Sequence, residues 1–171
     1  MANRNTSGFG LVAANMAGGQ ASVQGQSSFK IDAGHNANIF NGEFVKIDHG
    51  GTQGYIVGGQ GSAAQGIGVL NGIFYNAADT LKPTFSNFYK QPITPANSED
   101  IEAFVIDNPF QQYVVATDAA TTVNSFLRTY DMNTSAGSTT TGKSSATLDI
   151  GTVGDNNKQF RLLRSAEDPE N

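Results

Sequence analysis

Residues 100–117 read Asp-Ile-Glu-Ala-Phe-Val-Ile-Asp-Asn-Pro-Phe-Gln-Gln-Tyr-Val-Val-Ala-Thr. Two runs, 101–106 and 113–117, are rich in β-branched and aromatic side chains, which suit a pleated, buried surface better than a helix. Asn108-Pro109 separates them. Proline sets its own φ and pushes the residue before it out of the α region, while Asp107 and Asn108 can bond nearby backbone, so the stretch predicts two strands joined by a turn, a central hairpin. Ile101, Ala103 and Val105 fall on one face of the first strand, and Phe104 and Ile106 on the other. Apolar residues on both faces place that strand centrally, in a barrel wall or a subunit interface, and nothing in it is catalytic in kind.

Working outward, the same chemistry recurs. Only 15% of the 171 residues are Asp, Glu, Lys or Arg, against about 25% in ordinary domains. Asn, Gln, Ser and Thr fill the difference, with 20 glycines. Short apolar runs in a low-charge, Gly- and Thr-rich chain predict an all-β fold with many turns. We expect a small β-barrel-like domain of short antiparallel strands (26–171), preceded by an extended N-terminal arm (1–25), with at most one short helix. The length suits one domain that buries roughly 70% of its unfolded surface.

The arm offers only Phe9, Leu11, Val12, Met16 and Val23 to bury. It is either a frayed terminus or an arm that orders against a neighbouring subunit. Strands are expected at 28–31, on both sides of Asn41-Gly42 (a hairpin signal), at 55–57, and at 67–75 with a bulge at Asn71-Gly72. Residues 58–66 are a glycine loop. Residues 79–95 carry three prolines and the large apolar residues Leu81, Phe85, Phe88 and Tyr89 without a period; they read as an ordered excursion packed on the barrel or on a partner. Val123, Phe126, Leu127 and Tyr130 fall at helical spacing, with Asp118 as a cap. A loop at 133–145, strands at 146–150 and 158–164, and an acidic tail at 167–171 complete the chain.

The charge balance excludes one class of partner. A net charge of −5 and the absence of cysteine argue against nucleic acid as a main partner and remove thiol chemistry. Residues 1–10 lack the basic start and apolar core of a secretory signal, and no apolar run approaches the roughly 20 residues of a membrane span.

Several motifs invite chemistry. Residues 137–144, Gly-Ser-Thr-Thr-Thr-Gly-Lys-Ser, match the phosphate-cradling G-x-x-x-x-G-K-[ST] pattern. That pattern works between a strand and a helix, whereas a strand-like segment comes next here, so a surface loop is expected. His35 and His49 sit in turn-like segments and read as solvated rather than zinc-binding. Asp155-Asn156-Asn157 lacks the remaining ligands of a calcium loop and reads as a hairpin turn. Glu99, Asp100 and Glu102 read as a solvated start of a strand. No cofactor, metal site or catalytic set is expected.

Five stretches together resemble a known family: 29–31 with 39–45, 68–75, 100–109, 137–149, and 160–163 with the acidic tail. They resemble the capsid decoration, or cement, proteins of tailed bacteriophages, found especially in aquatic phages, and they span most of residues 28–171. The resemblance implies a non-enzymatic virion structural protein on the outer capsid surface. It would bind the major capsid protein and bridge capsomers, as a homo-oligomer with a trimer favoured over a dimer. It implies no catalytic residues and no membrane partner. Phe9, Leu11, Val12, Leu81, Phe85, Phe88 and Tyr89 are then the candidate capsid or inter-subunit contacts. The alternative readings are a virion-surface module contacting host glycan and a nucleotide-binding protein using the 137–144 loop.

Overall fold

The computed structural model describes residues 8–21, 25–51, 54–59, 66–133, 137–154 and 158–166. Among them the fold is all-β, as expected, and no helix is long and apolar enough to cross a membrane. The first body is a curled sheet of β2 (Ser27–Ile31), β3 (Phe44–Ile47), β4 (Ile56–Gly58), β5 (Gly66–Asn76), β6 (Pro83–Ser86) and β7 (Ile101–Ile106). Its order is β2-β7-β5-β3-β4, with β6 also on β5. A bridge between Lys30 and Tyr55 brings the first and last strands of that order together, so the sheet closes into a small barrel. Closure removes the exposed edges that an open sheet would leave.

The period-2 alternation of the strands fills this barrel. On β2 and β7 the pairs Phe29↔Ala103 and Ile31↔Ile101 alternate with Ser28↔Phe104 and Lys30↔Glu102. The first set joins Val45, Ile56, Leu70, Ile73 and Val105 in a core closed at one end by Ile39 and Tyr89. β5 is long enough to pair with β7 on one side and with both β3 and β6 on the other. Its register shifts between Leu70 and Gly72, which is the expected bulge.

The second body combines a ribbon of β1 (Val12–Met16) and β8 (Gln111–Val114) with a sheet of order β10-β9-β11. These strands are β9 (Thr129–Asn133), β10 (Thr147–Gly154) and β11 (Phe160–Arg161). The chain beyond β8 ties the two parts together, since Leu148 N–H donates to Ala116 O at 2.9 Å and Asp118 N–H to Leu148 O at 3.1 Å. Leu11, Tyr130, Met132, Ala146 and Leu148 form its core together with Phe44 and Val69. Those last two are cross-strand partners on β3 and β5. Their neighbours Val45 and Leu70 point into the barrel, so one pair of strands walls both cores.

Several expectations are corrected. Residues 101–106 and 111–114 are both strands, with the turn between them held by Asn108, but they do not form a hairpin. β7 pairs with β2 and β5, whereas β8 pairs with β1. The described part of the arm is not loose: Leu11 N–H donates to Gly42 O at 2.8 Å and its side chain is buried, while Val12 pairs with Val114. Asn41-Gly42 makes the expected turn, closed by Glu43 N–H donating to Phe40 O at 3.0 Å, but not a hairpin, because the runs that flank it pair elsewhere, Ile39 with Tyr89 and Phe44 with Val69. The left-handed φ of 78° at Gly42 serves a close backbone crossing with Gly10.

The expected helix is one 3-10 turn at Val123–Ser125, capped reciprocally by Thr122 and Ser125. Asp118 instead accepts the Ile150 N–H, and Tyr130 belongs to β9. The excursion at 79–95 packs on its own barrel through β6 and through Tyr89, whose backbone exchanges hydrogen bonds with Ile39. Only Phe160–Arg161 of the 158–164 run joins a ladder. The 155–157 turn, the 167–171 tail and residues 60–65 of the glycine loop lie outside the described residues.

The barrel interior should carry the stability. Leu70→Ala, at a residue 1% exposed, is expected to cost about 2–5 kcal/mol in urea unfolding. Val123→Ser, at a residue 81% exposed, should stay within about 0.5 kcal/mol. Equal losses would mean that the core is wrongly assigned.

Candidate functional site

The phosphate-binding pattern at 137–144 has another use. The N–H groups of Ser138, Gly142 and Ser144 donate to Lys143 O, Ser138 O and Asn41 O, and those of Thr141 and Lys143 to the Ser138 and Thr141 hydroxyls. A phosphate cradle needs convergent, unspent N–H groups, and here these five are spent within the fold. The Ser144 hydroxyl, where a nucleotide site would place a magnesium ligand, is buried and accepts the Ala146 N–H at 3.1 Å. The loop leads into β10, a strand, where a nucleotide site would need a helix.

The glycines answer to aromatic rings. Phe40 and Phe88 stack at 5.6 Å with planes 7° apart. A Cβ on Gly137 would lie 2.4 Å from the Phe40 ring, and one on Gly142 would lie 2.5 Å from Phe88. Gly142 also has φ of 72°, and Asn87 donates to Thr141 O at 3.0 Å. The loop is thereby fastened over the 79–95 excursion.

The polar candidates also have structural partners. His35 is not solvated. Its ring lies 5.4 Å from Tyr89, whose hydroxyl donates to His35 O at 2.6 Å. Burial lowers the His35 pKa, opposed by the carboxylates of Asp48 and Asp32. His49 is exposed, as expected. Asp100 accepts from the Tyr55 hydroxyl at 2.9 Å and from Lys30 at 3.2 Å, beside the bridge that closes the barrel. Glu99 accepts from the Asn76 amide, and Glu102 from the Ser28 hydroxyl. These three carboxylates at the start of β7 therefore brace strands. Among the described residues no three His, Cys, Asp or Glu side chains form a metal-binding group.

Two acidic residues escaped sequence reasoning. Asp131 on β9 is 3% exposed and pairs with Lys158 at 2.5 Å, and its N–H donates to Thr152 Oγ1 at 3.1 Å. The pair pins the segment carrying β11 against β9, and removing one partner would leave a buried charge, the costly half of any such pair. Glu43, at the start of β3, is half-buried, and its carboxylate accepts the Phe40 N–H at 2.8 Å. Burial pushes its pKa up to about 7, against the pull of that N–H.

The seven candidate contacts divide by exposure. Leu11 and Tyr89 are core residues and are withdrawn as contacts, because the chain's own packing already surrounds them. Phe9 and Phe88 are half-buried, with Phe88 occupied by Phe40. Val12, Leu81 and Phe85 are exposed. Phe85 lies 6.1 Å from Phe104 on the outer wall of the barrel. Sequence reasoning missed exposed apolar side chains at Phe110, Val114, Val123, Leu127, Val153 and Leu163.

Two of these leucines stand out on backbone grounds. Leu81 is 72% exposed with φ of 54°, and Leu127 is 70% exposed with φ of 63°. The left-handed region costs an L-residue roughly 1–2 kcal/mol, and glycine or asparagine would fill it more cheaply. Both side chains are largely exposed, so burial within the chain offsets little of that cost. No family model, no curated protein and no solved structure matches the chain.

The loop geometry is open to two tests. Gly142→Ala should cost about 1–3 kcal/mol through strain and the Phe88 contact, while Lys143→Ala, an exposed side chain, should stay within about 0.5 kcal/mol. Calorimetry with Mg·ATP should give no heat. Binding that Lys143→Ala abolishes would overturn the packing account of these glycines.

Glu43 gives a pH signature. Its folded form keeps a proton up to about pH 7, whereas the unfolded chain releases it near pH 4.5, so stability should fall by up to about 3 kcal/mol as pH rises between those values. Glu43→Gln keeps an acceptor for the Phe40 N–H and should remove this fall, gaining on the parent chain from pH 5 to pH 8. Parallel pH profiles for the two proteins would remove Glu43 as the cause.

Proposed function

We propose that this chain is a virion structural protein of the capsid decoration class, binding the outer surface of a tailed-phage shell and bridging its capsomers without catalysis. The resemblance in five stretches supports the class. The observation that carries the reading is the pair Leu81 and Leu127, large apolar side chains held exposed on left-handed backbone. Glycine or asparagine would hold the same backbone more cheaply, so strain at an exposed leucine points to a demand on its side chain outside the monomer.

Leu81 sits at the tip of the turn between β5 and β6, fixed by its N–H donating to Ala77 O at 2.8 Å. Leu127 is fixed by its N–H donating to Leu162 O at 2.6 Å. Both are therefore presented by a rigid frame, which lowers the ordering cost of an interface. Modest contacts repeated over a lattice gain by avidity, and a trimer engaging the shell at several points at once would multiply each one. In this reading the major capsid protein is the partner, and Phe85, Val12 and Phe9 contribute beside the two leucines.

The test uses purified heads of the source phage lacking this protein. Asparagine tolerates the left-handed region, so Leu81→Asn with Leu127→Asn should leave unfolding stability within about 1 kcal/mol of the parent. Binding to heads should weaken at least about tenfold, since each buried leucine contributes about 1.5–3 kcal/mol, and added protection against heat should vanish. If the parent chain neither binds heads nor raises their heat resistance, the proposed function is wrong. Full binding by the double variant would acquit the leucines.

A further inference from the structure

Side chains along β9 alternate between two faces. Tyr130 and Met132 enter the second core, so Asp131 points away from it, where an aspartate is ordinarily solvated. It is instead 3% exposed. Lys158 Nζ meets its Oδ2 at 2.5 Å, while its Oδ1 is buried with no hydrogen-bond partner among the described residues. A carboxylate drawn out of water usually finds donors for both oxygens. This one has a single amine.

Another lysine–aspartate pair shows the ordinary arrangement. Lys30 reaches Asp100 at 3.2 Å from an exposed side chain, and the other Asp100 oxygen accepts from the Tyr55 hydroxyl. Both oxygens are used there, and water reaches the lysine. At Asp131 the amine is closer, the carboxylate is buried and one oxygen is left over. Cγ lies one carbon–oxygen bond beyond Oδ2, which puts it within about 3.7 Å of Nζ. That is close to the roughly 3–3.5 Å at which fixed groups react.

A third group stands beside the pair. Asp149 faces Asp131 directly in the ladder of β9 and β10, and residues paired in this way share a face with Cβ atoms roughly 5 Å apart. Thr152 ties the two together, since its Oγ1 accepts the Asp131 N–H and donates to Asp149 O. A carboxyl in that position can relay a proton between an amine and a departing oxygen.

We propose that Lys158 and Asp131 condense to a side-chain amide, a covalent bridge from β9 to the segment that carries β11. The Nζ lone pair attacks Cγ, forming a C–N bond. One C–O bond of the carboxyl breaks, and its oxygen leaves as water with two protons of the ammonium, one of them passed on by Asp149. Nitrogen keeps the third proton, and no oxidant, reductant or other reactant is consumed. Free amines and acids do not condense in dilute solution, but groups held in place reach effective molarities of about 10⁵–10⁸ M. The amide is neutral, so the bridge also removes a buried charge pair and the unmatched charge on Oδ1.

The test is the intact mass of the folded, purified chain measured after denaturation, which should fall short of the sequence mass by one water. Trypsin should release residues 129–143 joined to residues 144–161, uncut after Lys158. Lys158→Arg keeps the charge pair but offers no amine nucleophile. It should show its full sequence mass and melt at a lower temperature, because the bridge no longer restricts the unfolded chain. Asp149→Asn should leave part of the freshly made protein unbridged. The inference fails if the parent chain keeps its full mass, if the missing water maps to other residues, or if Lys158→Arg loses water as well. Complete bridging in the Asp149→Asn chain would overturn the relay. None of these outcomes depends on binding to heads, so the bridge and the proposed function fail separately.

Discussion

The packing of Phe44 is the constraint on which the rest of the structure depends. Its ring leaves the barrel wall on the side opposite Val45 and enters the second core, where it meets Phe160 edge-on at 5.0 Å. The ring needs space that only glycine gives. A Cβ on Gly66 would lie 1.5 Å from its Cζ, and one on Gly59 would lie 2.5 Å from its Cδ1. Interiors are packed as densely as organic crystals, so a ring accommodated this closely fixes the angle at which the two bodies meet. Val69, its cross-strand partner, shares the task from β5.

Glycine elsewhere obeys the same logic. The string at 137–144 satisfies a nucleotide-binding pattern letter by letter, yet its two glycines make room for Phe40 and Phe88. A sequence pattern records where a Cβ is forbidden, but it does not record what forbids it. A phosphate and an aromatic ring place the same demand on the backbone. The discriminating information lies in where the N–H groups go, and that depends on partners such as Asn41, some hundred residues away.

This explains how much could be read beforehand. The all-β class, the central β7 and the bulge on β5 were legible because alternation and turn residues are local signals. Pairing was not, since β7 and the next strand, β8, are neighbours in sequence and yet serve different sheets. β1 was invisible because Leu11 is nearly the only buried side chain that its stretch supplies. β9 was hidden by a local coincidence, with Tyr130 continuing a helical spacing from Val123 that no helix uses. Of the candidate contacts, Leu81 and Phe85 stand exposed, whereas Leu11 and Tyr89 are core residues. An apolar residue in a loop gives no sign of which side of the surface it will take, and a left-handed φ leaves no mark on a leucine.

The two cores differ in how far apart along the chain their members lie. The barrel core draws on residues between Phe29 and Val105, whereas the second gathers residues from Leu11 to Leu162. Contacts between distant parts of a chain form late, because loop-closure entropy must be met before they give any return. On a ribosome the barrel can close while the last third of the chain is still unmade. β1 must then wait, with its pairing groups open, until β8 emerges. The second body is therefore the last part to set, and its apolar floor on Phe44 and Val69 stays uncovered until it does.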